Sequence, residues 1–191
     1  MLHLNATDRR VIGLAVPALG TLAAEPMYRL VDTAVVGRLG TDQLGGLAIA
    51  ISVLSLVIAS SNFITYGTTE RVARRLGSGN PAEAANVGVQ ALWLAGTVGV
   101  LAVPLLIGFA RPLTAALGAD DEVAIFAVEY LRIAALSVPF VVVSLAAQGV
   151  QRGSSDYRTP LVILVCSNVF NVMVELVLVL RFDMGIAGAA W

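Results

Sequence analysis

Residues 44–66 read LGGLAIAISVLSLVIASSNFITY, a run without a single charged side chain. A helix needs about 20 predominantly apolar residues to cross the hydrocarbon core of a bilayer, and this run meets that length. Similar runs recur along the 191 residues. We therefore predict transmembrane helices over residues 11–36, 44–66, 86–109, 123–150 and 160–180. A sixth apolar run starts near residue 184, and we expect the sequence to end inside it.

The composition supports a membrane protein. The chain is 58% hydrophobic and 13% charged, whereas soluble domains have about 45–50% apolar and about 25% charged residues. The sequence thus predicts an all-α fold, a polytopic transmembrane helix bundle in contact with the lipid bilayer. Pro104 and Pro139 fall inside predicted spans, where proline kinks a helix. A formal net charge of −1 argues against nucleic acid as a partner.

Few residues are available for catalysis or metal binding. His3 is the single histidine and Cys166 the single cysteine, which argues against zinc sites, a serine–histidine pair and a disulfide framework. The sequence contains no recognisable nucleophile–base pair or set of metal ligands. We therefore expect no enzymatic activity, no catalytic residue, and no resident metal or organic cofactor.

The arginines predict the orientation in the membrane, because cytoplasmic loops carry an excess of basic residues. One side would carry seven arginines: Arg9, Arg10, Arg71, Arg74, Arg75, Arg152 and Arg158. The other side would carry three: Arg38, Arg111 and Arg181. This predicts a cytoplasmic N-terminus, and we expect a multi-pass protein of the plasma (cytoplasmic) membrane.

Charged residues occur inside the predicted spans. They are Glu25, Arg29 and Asp32 in the first span, Glu129 and Arg132 in the fourth, and Glu175 in the fifth. A charge at the centre of a membrane helix costs roughly 2.5–3.5 kcal/mol, so such groups face other protein or a water-filled cavity. Their default interpretation is a substrate or ion pathway.

Helix geometry predicts that these groups share one layer. At 1.5 Å per residue, Asn171 and Glu175 lie roughly 16 and 22 Å from Pro160. The same arithmetic places Glu25 and Asp32 in the middle and outer half of the bilayer. A polar layer built from separate helices is what a common internal cavity would look like.

Spacing separates two kinds of charged group. Glu25, Arg29 and Asp32 share a helix face, and so do Asn168, Asn171 and Glu175. For Glu129 and Arg132 we favour a structural pair that neutralises itself, or a place in the membrane interface. For Asp32 and Glu175 we favour a function. The first-span set has two acids for one base, and span 160–180 has no base at all, so a carboxylate remains to bind a proton or another cation.

Three stretches of sequence resemble one transporter family. EPMYRLVDTAVVGRLG (residues 25–40) resembles the first-helix motif of multidrug and toxic-compound extrusion (MATE) transporters, particularly their DNA-damage-inducible-F-like branch. GVQRGSSDYRTPL (149–161) is similar to their loop between the fourth and fifth helices. NVFNVMVE (168–175) and GIAGAAW (185–191) are similar to their fifth helix and the start of their sixth.

The resemblance implies a bundle of two six-helix lobes, of which this chain is an incomplete N-terminal lobe. It implies antiport of cationic or amphipathic small molecules, driven by protons or sodium, and a C-terminal lobe in the same polypeptide. The family's coupling site corresponds to Asp32, Asn171 and Glu175, with Glu175 standing where Asp is usual. Sodium is possible at these three residues, and Glu25, Arg29 and Asn168 would line the same cavity.

Two other functions fit the sequence. One is a flippase for lipid-linked precursors, from the wider superfamily of the transporters that the chain resembles. The other is a membrane scaffold or receptor without transport. In that case the polar layer would be closed and dry, and substitutions there would change stability alone.

Overall fold

The computed structural model describes residues 40–182 and 185–190, together with positions 15–16, 19–20, 23, 26, 30, 33–34 and 37. Every described position from Ala15 to Ala34 has helical backbone. From Thr41 onwards the structure forms seven α-helices, with no strand among the described residues, and this confirms the all-α prediction. The helices are α1 Thr41–Gly77, α2 Pro81–Gly108, α3 Ala110–Ala116, α4 Asp121–Ala134, α5 Val138–Gly153, α6 Arg158–Leu176 and α7 Gly185–Ala190.

Four helical segments are long and apolar enough to cross a membrane. They are Thr41–Gly77, Pro81–Gly108, Glu122–Gly153 and Arg158–Val179, and they overlap the second to fifth predicted spans. Helix α1 continues well beyond Tyr66, where its apolar run ends. Its 37 residues correspond to about 55 Å, which exceeds a hydrocarbon core of about 30 Å. The last turns of α1 therefore project out of the membrane.

Local side-chain chemistry starts two of the helices. Asn80 caps α2, because its side-chain oxygen accepts a hydrogen bond from the backbone N–H of Glu83 at 3.2 Å, and Pro81 takes the first helical position. Asp156, one residue before the N-cap Tyr157, satisfies two free N–H groups at the start of α6. Its Oδ1 accepts hydrogen bonds from the backbone N–H groups of Arg158 and Thr159, both at 3.1 Å.

The fourth predicted span is interrupted beside its proline. A 3₁₀ turn over Ala135–Ser137 separates α4 from α5, and Pro139 lies in the first turn of α5. Helix α2 passes close to this break, because a Cβ added to Gly99 would lie 2.5 Å from the Cα of Pro139. Pro104, in contrast, lies inside a continuous α2.

Small residues bring α1 and α5 into backbone contact. A Cβ on Gly149 would lie 2.8 Å from the carbonyl oxygen of Thr65, and one on Gly153 would lie 2.8 Å from the Cβ of Val72. Two hydrogen bonds cross the same interface. The Thr65 hydroxyl donates to the carbonyl of Leu145, and the Thr69 hydroxyl donates to the carbonyl of Gly149, each at 3.1 Å. The Thr69 hydroxyl is shared with the carbonyl of Thr65 in its own helix, at 2.8 Å. Close approach and interhelical hydrogen bonds stabilise helix pairs in lipid, where the hydrophobic effect contributes little.

The buried core joins α1, α2, α4 and α5. Its fully buried members include Leu47, Ala95, Leu131, Val142 and Ala146. Helix α6 lies apart from this core: of its residues only Pro160 and Glu175 are buried. The bundle thus has a tightly packed centre and one peripheral helix, and that peripheral helix carries the fifth-span carboxylate.

Candidate functional site

Glu175 is the one buried carboxylate among the residues that the structure describes, with 3% of its surface exposed. The other buried polar side chains of that part are hydroxyls, those of Ser61, Thr65, Thr68 and Thr114. Removing a charge from water costs several kcal/mol unless other polar groups compensate. Glu175 does take part in polar interactions. A carboxylate in this position can exchange its charge for a bound proton or hold a cation.

The helix around Glu175 changes its winding. Helix α6 ends at Leu176 and continues as a π-helical turn over Val177–Arg181. The N–H of Phe182 donates to the carbonyl of Val177 at 3.2 Å, five residues earlier, as a π-turn requires. Single π-turns are frequent at functional sites, since the extra residue shifts side chains relative to a regular helix. Here the change begins two residues after the buried acid.

Asn168 and Asn171 precede Glu175 on the same side of α6, as their spacing predicts. Asn168 is half-buried, whereas Asn171 is exposed and takes part in polar interactions. The three side chains therefore form a polar stripe that ends at the buried carboxylate. A stripe that includes an exposed amide is accessible from outside this helix bundle.

Glu25, Arg29 and Asp32 lie outside the described residues, so their meeting with Glu175 stays a prediction. The described neighbours nevertheless place the first predicted span beside α6. A Cβ added to Gly20 would lie 3.1 Å from Cδ1 of Leu161.

The predicted structural pair of Glu129 and Arg132 is not formed. Both side chains are exposed on α4, and the ion pairs within the described part of the chain join Arg74 to Glu70 and Arg75 to Glu83. Glu129 and Arg132 instead line an open cavity of about 650 Å³, together with Arg111. Because the core lies on the opposite face of α4, neither charge is buried, and the place in the membrane interface fits better.

Metal-ligand geometry gives no further site. Within the ranges described, no three His, Cys, Asp or Glu side chains group closely enough to hold a metal ion. Sodium at Asp32, Asn171 and Glu175 stays a prediction, because Asp32 is outside those ranges.

The sequence contained signals for two features that were not predicted. Glycines at positions 149 and 153, four residues apart, are a known pattern of close helix contact in membranes. The charged turns of α1 that follow its apolar run, from Glu70 to Arg75, form a groove with α2. The spacing of the arginines along one face of α1 was the signal for this groove. No sequence signal distinguishes the π-turn after Glu175 from an ordinary helix.

This chain matches one protein family and several known proteins. The profile of the MatE family matches residues 17–177. The chain is 32% identical to Protein DETOXIFICATION 44, chloroplastic, of Arabidopsis thaliana over 94% of this chain and 37% of that protein. It is 31% identical to the DNA damage-inducible protein F of Escherichia coli, over 100% of this chain and 42% of that protein.

A solved structure shares the fold. It is an outward-facing multidrug resistance MATE family transporter of the MOP superfamily, with a TM-score of 0.87 and 25% identity over 94% of this chain and 40% of that one. The chain thus spans less than half the length of the proteins that it matches. The likeness nonetheless extends over nearly all of its own residues.

Proposed function

We propose that this chain, which belongs to the MatE family, is the N-terminal part of a cation-coupled multidrug exporter. Its substrates would be cationic or amphipathic small molecules, and it would act as an antiporter and not as an enzyme. This chain corresponds to less than half the length of its relatives. The full polypeptide would therefore also contain a C-terminal lobe. The likeness to a multidrug resistance transporter supports this proposal.

The burial of Glu175 is the observation that carries the proposal. Its side chain is 3% exposed, although α6 is otherwise the least buried of the long helices. An acid retained at this depth is typical of proton relays and ion sites in membrane proteins. Chains that need only a stable bundle place apolar residues at such positions, because replacing buried charges by apolar groups is often stabilising.

Asp32, Asn171 and Glu175 would form the coupling site, with Glu25, Arg29 and Asn168 in the same cavity. The contact of Gly20 with Leu161 supports this arrangement, since it sets the two helices side by side. A proton arriving from outside would neutralise a carboxylate and change how α6 packs. The membrane potential contributes about 2.3 kcal/mol per charge per 100 mV to such a step. Sodium is the alternative ion, because carboxylate and amide oxygens bind both.

The chain would lie in the plasma (cytoplasmic) membrane with its N-terminus in the cytoplasm. The seven-to-three distribution of arginines supports this orientation. Single cysteines test it, on a background in which Cys166→Ser removes the native thiol. Ser78→Cys in the α1–α2 loop should be protected from an impermeant maleimide in intact cells, and Ala116→Cys at the end of α3 should be labelled. The reverse pattern would overturn the orientation.

Dye efflux tests the function. The full-length polypeptide in proteoliposomes should expel ethidium when a pH gradient is imposed, and Glu175→Gln should abolish the dependence on that gradient. Glu122→Gln is the matched control, because Glu122 is an exposed acid at the start of α4. Equal gradient-driven efflux by wild type and Glu175→Gln would refute the role of Glu175. Transport of lipid-linked sugars but not of ethidium would support the flippase instead.

A further inference from the structure

Two adjoining cavities form a groove between α1 and α2, at the end of the bundle where α1 leaves its apolar run. The first has a volume of about 580 Å³ and is lined mainly by charged and amide side chains. The second has a volume of about 250 Å³ and is lined mainly by apolar residues, among them Phe63, Ile64 and Leu94. Arg71, Val87 and Gln90 line both, so the polar and the apolar parts are continuous. We call this feature the α1–α2 groove.

The groove contains three arginines and two glutamates, and one arginine forms no ion pair with the described residues. Arg74 is paired with Glu70, and Arg75 with Glu83 at 2.6 Å. Arg71 has no ion pair with any residue that the structure describes. The three arginines and two glutamates therefore carry a net positive charge, and Arg71 holds it where the polar cavity meets the apolar one.

The apolar part of the groove has room for a chain-like ligand. A Cβ added to Gly67 would meet nothing within 4 Å, so no neighbouring helix of the described structure fills this position. Phe63, Gly67 and Arg71 are spaced four residues apart and lie along one side of α1. From Phe63 to Arg71 the groove extends for about 12 Å along the helix axis.

The position of Arg71 matches the lipid headgroup region. The apolar run of α1 ends at Tyr66, and Arg71 lies about 7 Å further along the helix. Basic pockets between membrane helices on the cytoplasmic side bind anionic lipid headgroups, and arginine recognises phosphate by two parallel hydrogen bonds. Inorganic phosphate would use the arginine but not the apolar cavity, and a cationic compound would be repelled by it.

We infer that the α1–α2 groove binds an anionic phospholipid, with the phosphate on Arg71 and one acyl chain along Phe63, Gly67 and Leu94. Arg74 and Arg75 also line the polar cavity, but each of them is paired with a glutamate. Arg71 is thereby left as the cation that the headgroup meets. The site is separate from Glu175 and does not depend on transport.

Native mass spectrometry of the purified full-length protein tests the site. The detergent-solubilised protein is titrated with phosphatidylglycerol or with phosphatidylcholine of the same acyl chains. Wild type should bind phosphatidylglycerol more tightly. Arg71→Gln should weaken that binding at least about fivefold, the factor that corresponds to about 1 kcal/mol per arginine near an anionic surface. Gly67→Leu, which fills the apolar part, should weaken the binding of both lipids.

Arg111→Gln is the matched control, because Arg111 is an exposed arginine at the opposite end of the bundle. It should bind phosphatidylglycerol like wild type. Melting temperatures of all variants in phosphatidylcholine should agree within a few degrees, which shows that each one folds. Equal affinity of wild type for both lipids, as expected if another part of the polypeptide fills the groove, would overturn the inference. So would full displacement of the lipid by inorganic phosphate, or an unchanged affinity in Arg71→Gln.

Discussion

Adding one methyl group at Gly149 should separate α1 from α5. In Gly149→Ala the new Cβ would lie 2.8 Å from the carbonyl oxygen of Thr65 and 3.2 Å from its Cα. Both atoms belong to the backbone, so no side-chain rotation relieves the contact. Such overpacking costs about 1–3 kcal/mol. The two threonine hydrogen bonds across the interface would be stretched at a cost of about 0.6 kcal/mol each, whereas exchanging glycine for alanine in a helix returns up to about 1 kcal/mol. The expected net loss is about 1–3 kcal/mol.

Unfolding of the full-length protein in mixed micelles, with an increasing fraction of sodium dodecyl sulfate, measures this loss. Gly67→Ala in α1 is the control, because its Cβ would meet nothing within 4 Å. It should leave the free energy of unfolding unchanged or raise it by up to about 1 kcal/mol. If Gly149→Ala is as stable as Gly67→Ala, the close contact of α1 with α5 does not exist in the folded protein and the packing argument fails.

Three other outcomes follow from the structure. Glu175→Asp should keep the efflux that depends on the pH gradient, because it retains the carboxylate, whereas Glu175→Leu should lose this efflux. Dye efflux measures the activity of both variants, and monodisperse elution of the purified protein shows that each one folds. Thr69→Val should lower the free energy of unfolding by about 0.6 kcal/mol, since it removes the hydroxyl that is shared between the carbonyls of Gly149 and Thr65, and an unchanged value would show that the contact across the interface contributes nothing. The hydrogen bonds from the side chain and backbone of Thr159 lower the pKa of Asp156 below 3.8, so its contribution to stability is present above pH 3.8 and is lost as the pH falls through the lowered pKa. The stability difference between wild type and Asp156→Ala should accordingly shrink below that pH, and a difference that stays constant down to pH 2 would contradict this.

Apolar runs predict where helices lie in a membrane, but not where they end. Helix α1 continues to Gly77, beyond the end of its apolar run, because Glu70, Arg71 and Arg74 are good helix formers in water as well. Hydropathy indicates only which part of the helix is buried in lipid. The two prolines show the same limit. Pro139 follows a 3₁₀ turn, whereas Pro104 lies within an unbroken α2, because neighbouring groups decide whether a proline interrupts a membrane helix.

The candidate site was predictable in part. The insertion cost of a charge is enough to predict that Glu175 avoids lipid, and the structure buries it. The exposure of Asn171 was not predictable, since burial of one helix face depends on what the rest of the polypeptide places against it. Glu129 and Arg132 show that an i,i+3 spacing permits an ion pair without requiring one. On an exposed helix face such a pair contributes little, so nothing fixes the two side chains together.

The contrast between the bundle centre and α6 bears on how coupling would work. Helices α1, α2 and α5 meet through glycines whose added Cβ atoms would collide with backbone, so this centre has little room to repack. Helix α6 has two buried residues, and one of them is the acid whose charge a proton would remove. A change of charge at Glu175 therefore acts on the helix with the fewest buried residues among the long helices that the structure describes. The π-turn over Val177–Arg181 adds a place where the winding already departs from a regular helix. The proposed coupling step is thus a movement of α6 against a fixed core, and a cross-link that ties α6 to α5 should block it without unfolding the bundle.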